Sequence, residues 1–176
     1  MLKIRATRMD RLIQGLLEFA RVGRTHQTVE RVDVTALLHE MIEQASPREA
    51  SRIMMIGEMP MLIAERAALG QVFLHLITNA LQHAGRDDVV VRISATDRGD
   101  DWEFAVEDNG AGIPREHHAR VWQLFQTQHA RDAMDTTGIG LAIVRKQVDG
   151  NGGRVWIDPE AVAGTTIRFT WRKRTK

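Results

Sequence analysis

VEDNGAGIP, residues 106–114, closes an apolar run with two carboxylates and follows them with two glycines. The run begins at Asp101, and in DWEFAVED the residues Trp102, Phe104 and Val106 alternate with Glu103, Ala105 and Glu107. That period of two predicts a strand with one apolar face. Asp108 falls in phase with the apolar set, so it points inward. An inward carboxylate needs hydrogen-bond donors or it takes up a proton. The exocyclic amine of a purine is one suitable donor, and Gly110 and Gly112 let a flat ring approach the backbone closely. The same letters also spell an ordinary Asp-Asn-Gly turn, and taken alone they do not choose between the two.

Upstream, Arg66 to His83 reads as one long helix, apolar almost all round. Its polar residues Gln71, His75, Thr78, Asn79, Gln82 and His83 form one narrow stripe at spacings of three and four. Such a stripe on a buried helix either faces a cavity or meets solvent at the domain edge. Downstream, TTGIGLAIV (136–144) sets two glycines at the mouth of an apolar helix. Amides at a glycine-flanked helix start suit an anion, and Thr137 adds a hydroxyl donor.

The remaining chain frames these three segments. Leu2 to Val22 reads as a helix whose stripe of Met9, Leu12, Leu16 and Phe19, widened by Ile13 and Leu17, has a coiled-coil look. Gly23 and RTHQTVE end it. RVDV is a short strand, and Asp33 or Thr35 can cap a helix to about Gln44. SRIMMIG and MLIA read as two short strands parted by a Met-Pro turn, and VVVRISAT pairs with DWEFAVED across DRGD. Pro114 to about Phe125 reads as a short helix, and QTQHARDAMDTT as a loop. The helix that begins near Gly138 stops at GNGG (150–153), and RVWID and TTIRFTWR are the last strands. The class is α+β: a two-layer α/β sandwich with a mixed sheet, helices on one face, and one coiled-coil-like helix ahead of it.

Composition narrows the function classes. The chain is 43% apolar and 27% charged, with a formal charge of +1, which gives no reason to expect nucleic acid as a partner. It has no cysteine, which excludes disulfides, thiolate metal sites and cysteine nucleophiles. No stretch approaches the roughly 18 apolar residues of a membrane span, and the charged N-terminus lacks the apolar core of a secretion signal. The expectation is a cytoplasmic domain, whether or not a parent protein is membrane-anchored.

A helix with a central asparagine, a strand ending in D-x-G-x-G, and a polar loop leading to G-x-G-L form a specific order. It resembles the ATP-binding catalytic domain of sensor histidine kinases, in the superfamily of DNA gyrase, the heat-shock chaperone ATPase and the mismatch-repair ATPase. HLITNALQHAG (75–85) looks like the N box and VEDNGAGIP the first glycine box. VWQLFQ (121–126) resembles the phenylalanine box, TTGIGLAIV the second glycine box and GTTIRFTW (164–171) the closing strand. The resemblance implies the Bergerat-type fold over residues 32–172, ATP and Mg²⁺ as ligands, and histidine kinase activity. It implies that Asn79 coordinates Mg²⁺, a hard ion suited to an amide oxygen. Asp108 would accept from the adenine amine, Gly110 and Gly112 would line the adenine pocket, and Thr166 would hold a water or the base. Thr137, Gly138 and Gly140 would meet the phosphates, and Leu141 and His83 would also belong to the nucleotide site. Residues 126–137 would form a lid with Arg131 as a phosphate contact, and Phe125 would anchor the lid or serve the core.

The sequence departs from the family's pattern at three places. His75 stands where the N box usually opens on a second asparagine; within the superfamily that position holds a general base or metal-shell residue, which makes His75 a catalytic candidate. Gln82 replaces a common lysine or arginine, and Thr136 a glycine. Residues 1–24 look like the second helix of the dimerisation and phosphoacceptor hairpin, with 25–31 as linker and 173–176 as a basic tail. None of the seven histidines lies in the H-E/D-x-x-x-P setting of a phosphoacceptor. The expectation is therefore a catalytic domain serving a histidine missing from this chain. It would form a homodimer through helix 2–22, with a phosphoacceptor domain and a response regulator as partners. Three alternatives stand beside it. One is a degenerate relative acting as a dimeric adaptor or phosphotransfer scaffold. Another is an anti-sigma-factor serine kinase, against which the N-terminal helix argues. The third is a metal site of His75, Asn79 and His83.

Overall fold

The computed structural model describes residues 2–23, 28–47, 51–126 and 138–174. The order is α1 (Leu2–Arg21), β1 (Val29–Asp33), α2 (Val34–Ala45), β2 (Arg52–Ile56), β3 (Met61–Glu65), α3 (Arg66–His83), β4 (Val90–Asp97), β5 (Asp101–Asp108), α4 (Gly140–Gly150), β6 (Val155–Ile157) and β7 (Thr166–Arg172). Five strands form one mixed sheet in the order β2-β4-β5-β7-β6, with β2 parallel to β4 and the other neighbours antiparallel. β1 and β3 pair antiparallel in a separate two-stranded sheet. The two strands beside the Met-Pro turn therefore part company. β2 returns to the main sheet, and β3 runs straight into α3.

The core lies between α3 and the inner face of the sheet. Phe73 of α3 meets Phe104 of β5 edge-on at 5.3 Å and Phe169 of β7 at 5.5 Å, while Phe104 and Phe169 stack at 5.1 Å. All three rings are fully buried, as is Trp171. The outer face carries charge instead: Arg92 pairs with Glu107, and Arg168 bridges Glu103 and Asp158. One apolar and one ionic face give the sheet its two-layer arrangement.

Local signals set several boundaries. Asp33 caps α2, its Oδ1 accepting from Thr35 N–H at 2.9 Å and Ala36 N–H at 3.2 Å, so Asp33 and not Thr35 is the cap. Asp33→Ala should cost about 1 kcal/mol of stability, read as a lowered midpoint in urea unfolding.

Three expectations need correction. Between Pro114 and Phe125 only a single 3₁₀ turn, Arg115–His117, forms, followed by turns. Most of the backbone bonds here span three residues, and Val121 is its one buried apolar side chain, too little to hold an α-helix on the core. α4 begins at Gly140, because Gly138 has a φ of +64° and cannot be its first turn. The α1 stripe is divided: Leu12 and Phe19 pack with Val22 against Ile139 and Ile143, whereas Met9, Ile13, Leu16 and Leu17 are exposed. Part of the stripe thus finds a partner on α4 of the same chain.

Candidate functional site

A cleft of about 730 Å³ opens between α3, the end of β5 and the start of α4. The polar stripe of α3 faces it: His75, Thr78, Asn79, Gln82 and His83 all line its wall. Gln71 does not, because it donates to Glu18 Oε1 at 3.3 Å and accepts from Gln147 Nε2 at 2.5 Å. Thr78 turns its hydroxyl back onto the Leu74 carbonyl of its own helix.

Asp108 stands at one end of the cleft, 8% exposed. Its Oδ1 accepts from Gly110 N–H at 2.8 Å and from Thr165 N–H at 3.2 Å, and the nearby Thr165 side chain also favours the charged form. Burial nevertheless pushes the Asp108 carboxyl above the usual carboxylate range; these donors pull it down only in part, and nearby Glu107 raises it further. A buried carboxylate that its own protein leaves under-compensated is suited to one more donor from a ligand.

Two site residues sit differently from expectation. Thr166 pairs with Glu107 across the β5–β7 ladder, on the face away from the cleft, so Thr165 takes the position beside Asp108. The alternation of Ile167, Phe169 and Trp171, all buried, carries the inward phase back to Thr165 and could have identified it. Gly112 lines the cleft, but Gly110 packs beneath the end of α3. A Cβ at Gly110 would lie 2.6 Å from Ala84 Cα, so its glycine serves close packing while its N–H serves Asp108.

At the other end lie Gly138, Gly140 and Leu141. Ile139, the residue that caps α4, offers its first turn no side-chain acceptor. His75 lies against Gly140, its Nδ1 3.3 Å from the place a Cβ would occupy there, and its Nε2 donates to Glu18 Oε1 at 3.1 Å. The cleft thus has a buried carboxylate at one end and the backbone of a glycine-flanked helix start at the other. Asn79 lies on the wall between the two groups. Among the described residues, no group of three or more acidic or imidazole side chains could hold a metal. A cation here would depend on Asn79 together with oxygens of a ligand.

Arg131 and Thr137 lie outside the described residues, as does 127–137 of the expected lid. Phe125 is described and is not core: it is 54% exposed with a φ of +63°, and its N–H donates to Gly138 O at 2.9 Å. His118 donates from Nε2 to Ile113 O at 2.8 Å and ties down the loop after the glycines.

Residues 64–175 match the family model described as histidine kinase-, DNA gyrase B- and HSP90-like ATPase. The chain is 32% identical over 164 residues to phytochrome-like protein Cph1 of Synechocystis, covering 92% of this chain and 22% of that protein. It is 29% identical over 167 residues to the methanogenesis regulatory histidine kinase FilI of Methanothrix harundinacea, covering 93% of this chain and 19% of that one. Among solved structures, full-length ShkA in complex with AMPPNP superposes with a TM-score of 0.77 at 27% identity, over 94% of this chain and 36% of ShkA. The mycobacterial sensor histidine kinase MprB gives a TM-score of 0.72 at 24% identity, over 85% of this chain and all of that one, a likeness of fold. The chain spans about a fifth of the length of the first curated relatives it matches.

Proposed function

Because the chain belongs to the histidine kinase-, DNA gyrase B- and HSP90-like ATPase family, we propose that it is the ATP-binding catalytic domain of a two-component sensor histidine kinase. One observation carries the reading: a buried, under-compensated carboxylate and a glycine-flanked helix start face each other across one cleft. Asp108 accepts from the adenine amine, with Thr165 and Gly110 holding its Oδ1 in place. Gly138, Gly140 and Leu141 offer backbone to the phosphates, and Asn79 supplies an amide oxygen to Mg²⁺. Bound Mg²⁺ supplies charge neutralisation on the phosphate oxygens, and the chain's part is to position them. His75, at the N-box position where the superfamily places a base, lies beside the anion end. Arg131 and Thr137 belong to this set by resemblance.

The γ-phosphate is destined for a histidine other than the seven here, and a response regulator takes it onward. Residues 1–24 serve as the second hairpin helix, 25–31 as linker and 32–172 as the catalytic domain. The exposed face of Met9, Ile13, Leu16 and Leu17 suits a second copy of the chain in a homodimer. The same reading places the domain in the cytoplasm. No helix among the described residues is long and apolar enough to cross a membrane.

Calorimetric titration with a non-hydrolysable ATP analogue, with and without Mg²⁺, tests this. Binding strengthened by Mg²⁺ is expected, and Asn79→Ala should remove about tenfold of that strengthening with adenosine affinity retained. Absence of binding in both conditions would instead favour a non-catalytic scaffold. The observation on that side is that His75 is already engaged by Glu18.

A further inference from the structure

α1 does more than stand beside the catalytic domain. It docks on α4 through Leu12, Phe19 and Val22 against Ile139 and Ile143. Lys146 of α4 fastens it, donating to Phe19 O at 2.8 Å with its ammonium 4.4 Å from the Phe19 ring. In this position α1 supplies part of the cleft wall, including Arg11, Gln14, Gly15 and Glu18.

Glu18 is the residue with consequences. Its Oε1 accepts from both Gln71 and His75 of α3, and the carboxylate is half-buried, with the side chain 35% exposed. One imidazole ring separates it from Gly140, the first residue of α4. A fixed carboxylate therefore stands at the same end of the cleft as Gly138, Gly140 and Leu141. Arg11, the other charged α1 residue on this wall, is exposed and two helical turns away, about 10 Å along the axis. Arg21 and Lys146 share with Glu18 a second cavity beside this cleft.

Resting on the reading of the cleft as an ATP site, we propose that Glu18 is a negative gate on its phosphate end. Docked α1 lowers affinity for the triphosphate of ATP and leaves adenine recognition unchanged. By linkage, ATP loosens the docking of α1 to the same extent. The hairpin helix thereby sets both the charge selectivity of the cleft and its occupancy. The physical cause is like-charge repulsion in a partly desolvated cleft.

Glu18→Gln tests this, since it keeps the side-chain size and an acceptor for Gln71 and His75 while removing the charge. AMPPNP affinity should rise about three- to tenfold at low ionic strength and adenosine affinity should stay within about twofold. The gain should shrink at about 0.5 M salt. As a second measurement, amide exchange across residues 9–21 of the wild type should quicken on saturation with AMPPNP and not with adenosine. Unchanged or weaker AMPPNP binding in Glu18→Gln, with adenosine binding intact, would overturn the gate and leave the nucleotide site standing. Failure of both ligands to bind either protein would overturn the two together.

Discussion

Asp108→Asn should weaken adenosine and ATP-analogue binding about 100-fold or more while leaving the fold intact. Both backbone donors of the site, Gly110 N–H and Thr165 N–H, go to Oδ1, and an asparagine Oδ1 keeps both. The amide nitrogen then takes the place of Oδ2 and presents donors where a ligand amine also donates. The Thr165 hydroxyl can turn to accept from it. Thermal unfolding should give a midpoint no lower than that of the wild type, and calorimetry should show the lost binding. Wild-type affinity in the variant would remove Asp108 from adenine recognition.

The charge of Asp108 also fixes the sign of two pH effects. Its carboxyl is raised above its ordinary value of 3.8 chiefly by burial, so the folded state holds this proton more tightly than the unfolded chain. Its contribution to stability is present at low pH and is lost as pH rises through the value it has in the fold. Asp108→Asn should therefore gain on the wild type across that window. Ligand binding runs the other way: adenosine affinity should fall as pH drops through the same raised value, since the protonated group no longer offers two acceptors.

Gly164→Ala should destabilise the protein by roughly 3 kcal/mol or more and abolish nucleotide binding. A Cβ at Gly164 would lie 1.8 Å from Asp108 O and 2.9 Å from Gly110 N, at a φ of +67°. The clash is with backbone of the site itself, so relief requires the end of β5 to move and Asp108 with it. Gly57→Ala is the matching control: its φ is +78° but nothing lies within 4 Å. It should cost only the conformational part, about 1–2 kcal/mol, with binding unchanged. Equal losses in the two variants, measured by urea unfolding, would mean that packing at Gly164 contributes nothing.

The fold was largely legible from local pattern. Alternation in DWEFAVED put Phe104, Val106 and Asp108 on one face, and all three are buried. The near-uniform apolarity of Arg66–His83 marked a buried helix, and five of its six polar exceptions line the cleft, where the pattern alone had left a cavity and a solvent edge both open. The weaker readings failed where the pattern was thin. Residues 114–125 supply one buried apolar side chain, and without a stripe nothing selects α-helix over successive turns.

What the sequence determined by itself was set by residues close along the chain: caps, periodicity and glycines at turns. These are written in neighbours two to four positions apart, where backbone sterics and side-chain spacing act directly. What only the tertiary structure decided depended on residues far apart. The β5–β7 register gave Asp108 to Thr165 rather than Thr166, across 57 positions. The separation of β2 from β3 was settled by the competition of β4 for one and β1 for the other. The docking of α1 brought Glu18 to His75, again 57 positions away. No local preference encodes such a pair, because its energy exists only after two packed surfaces have met.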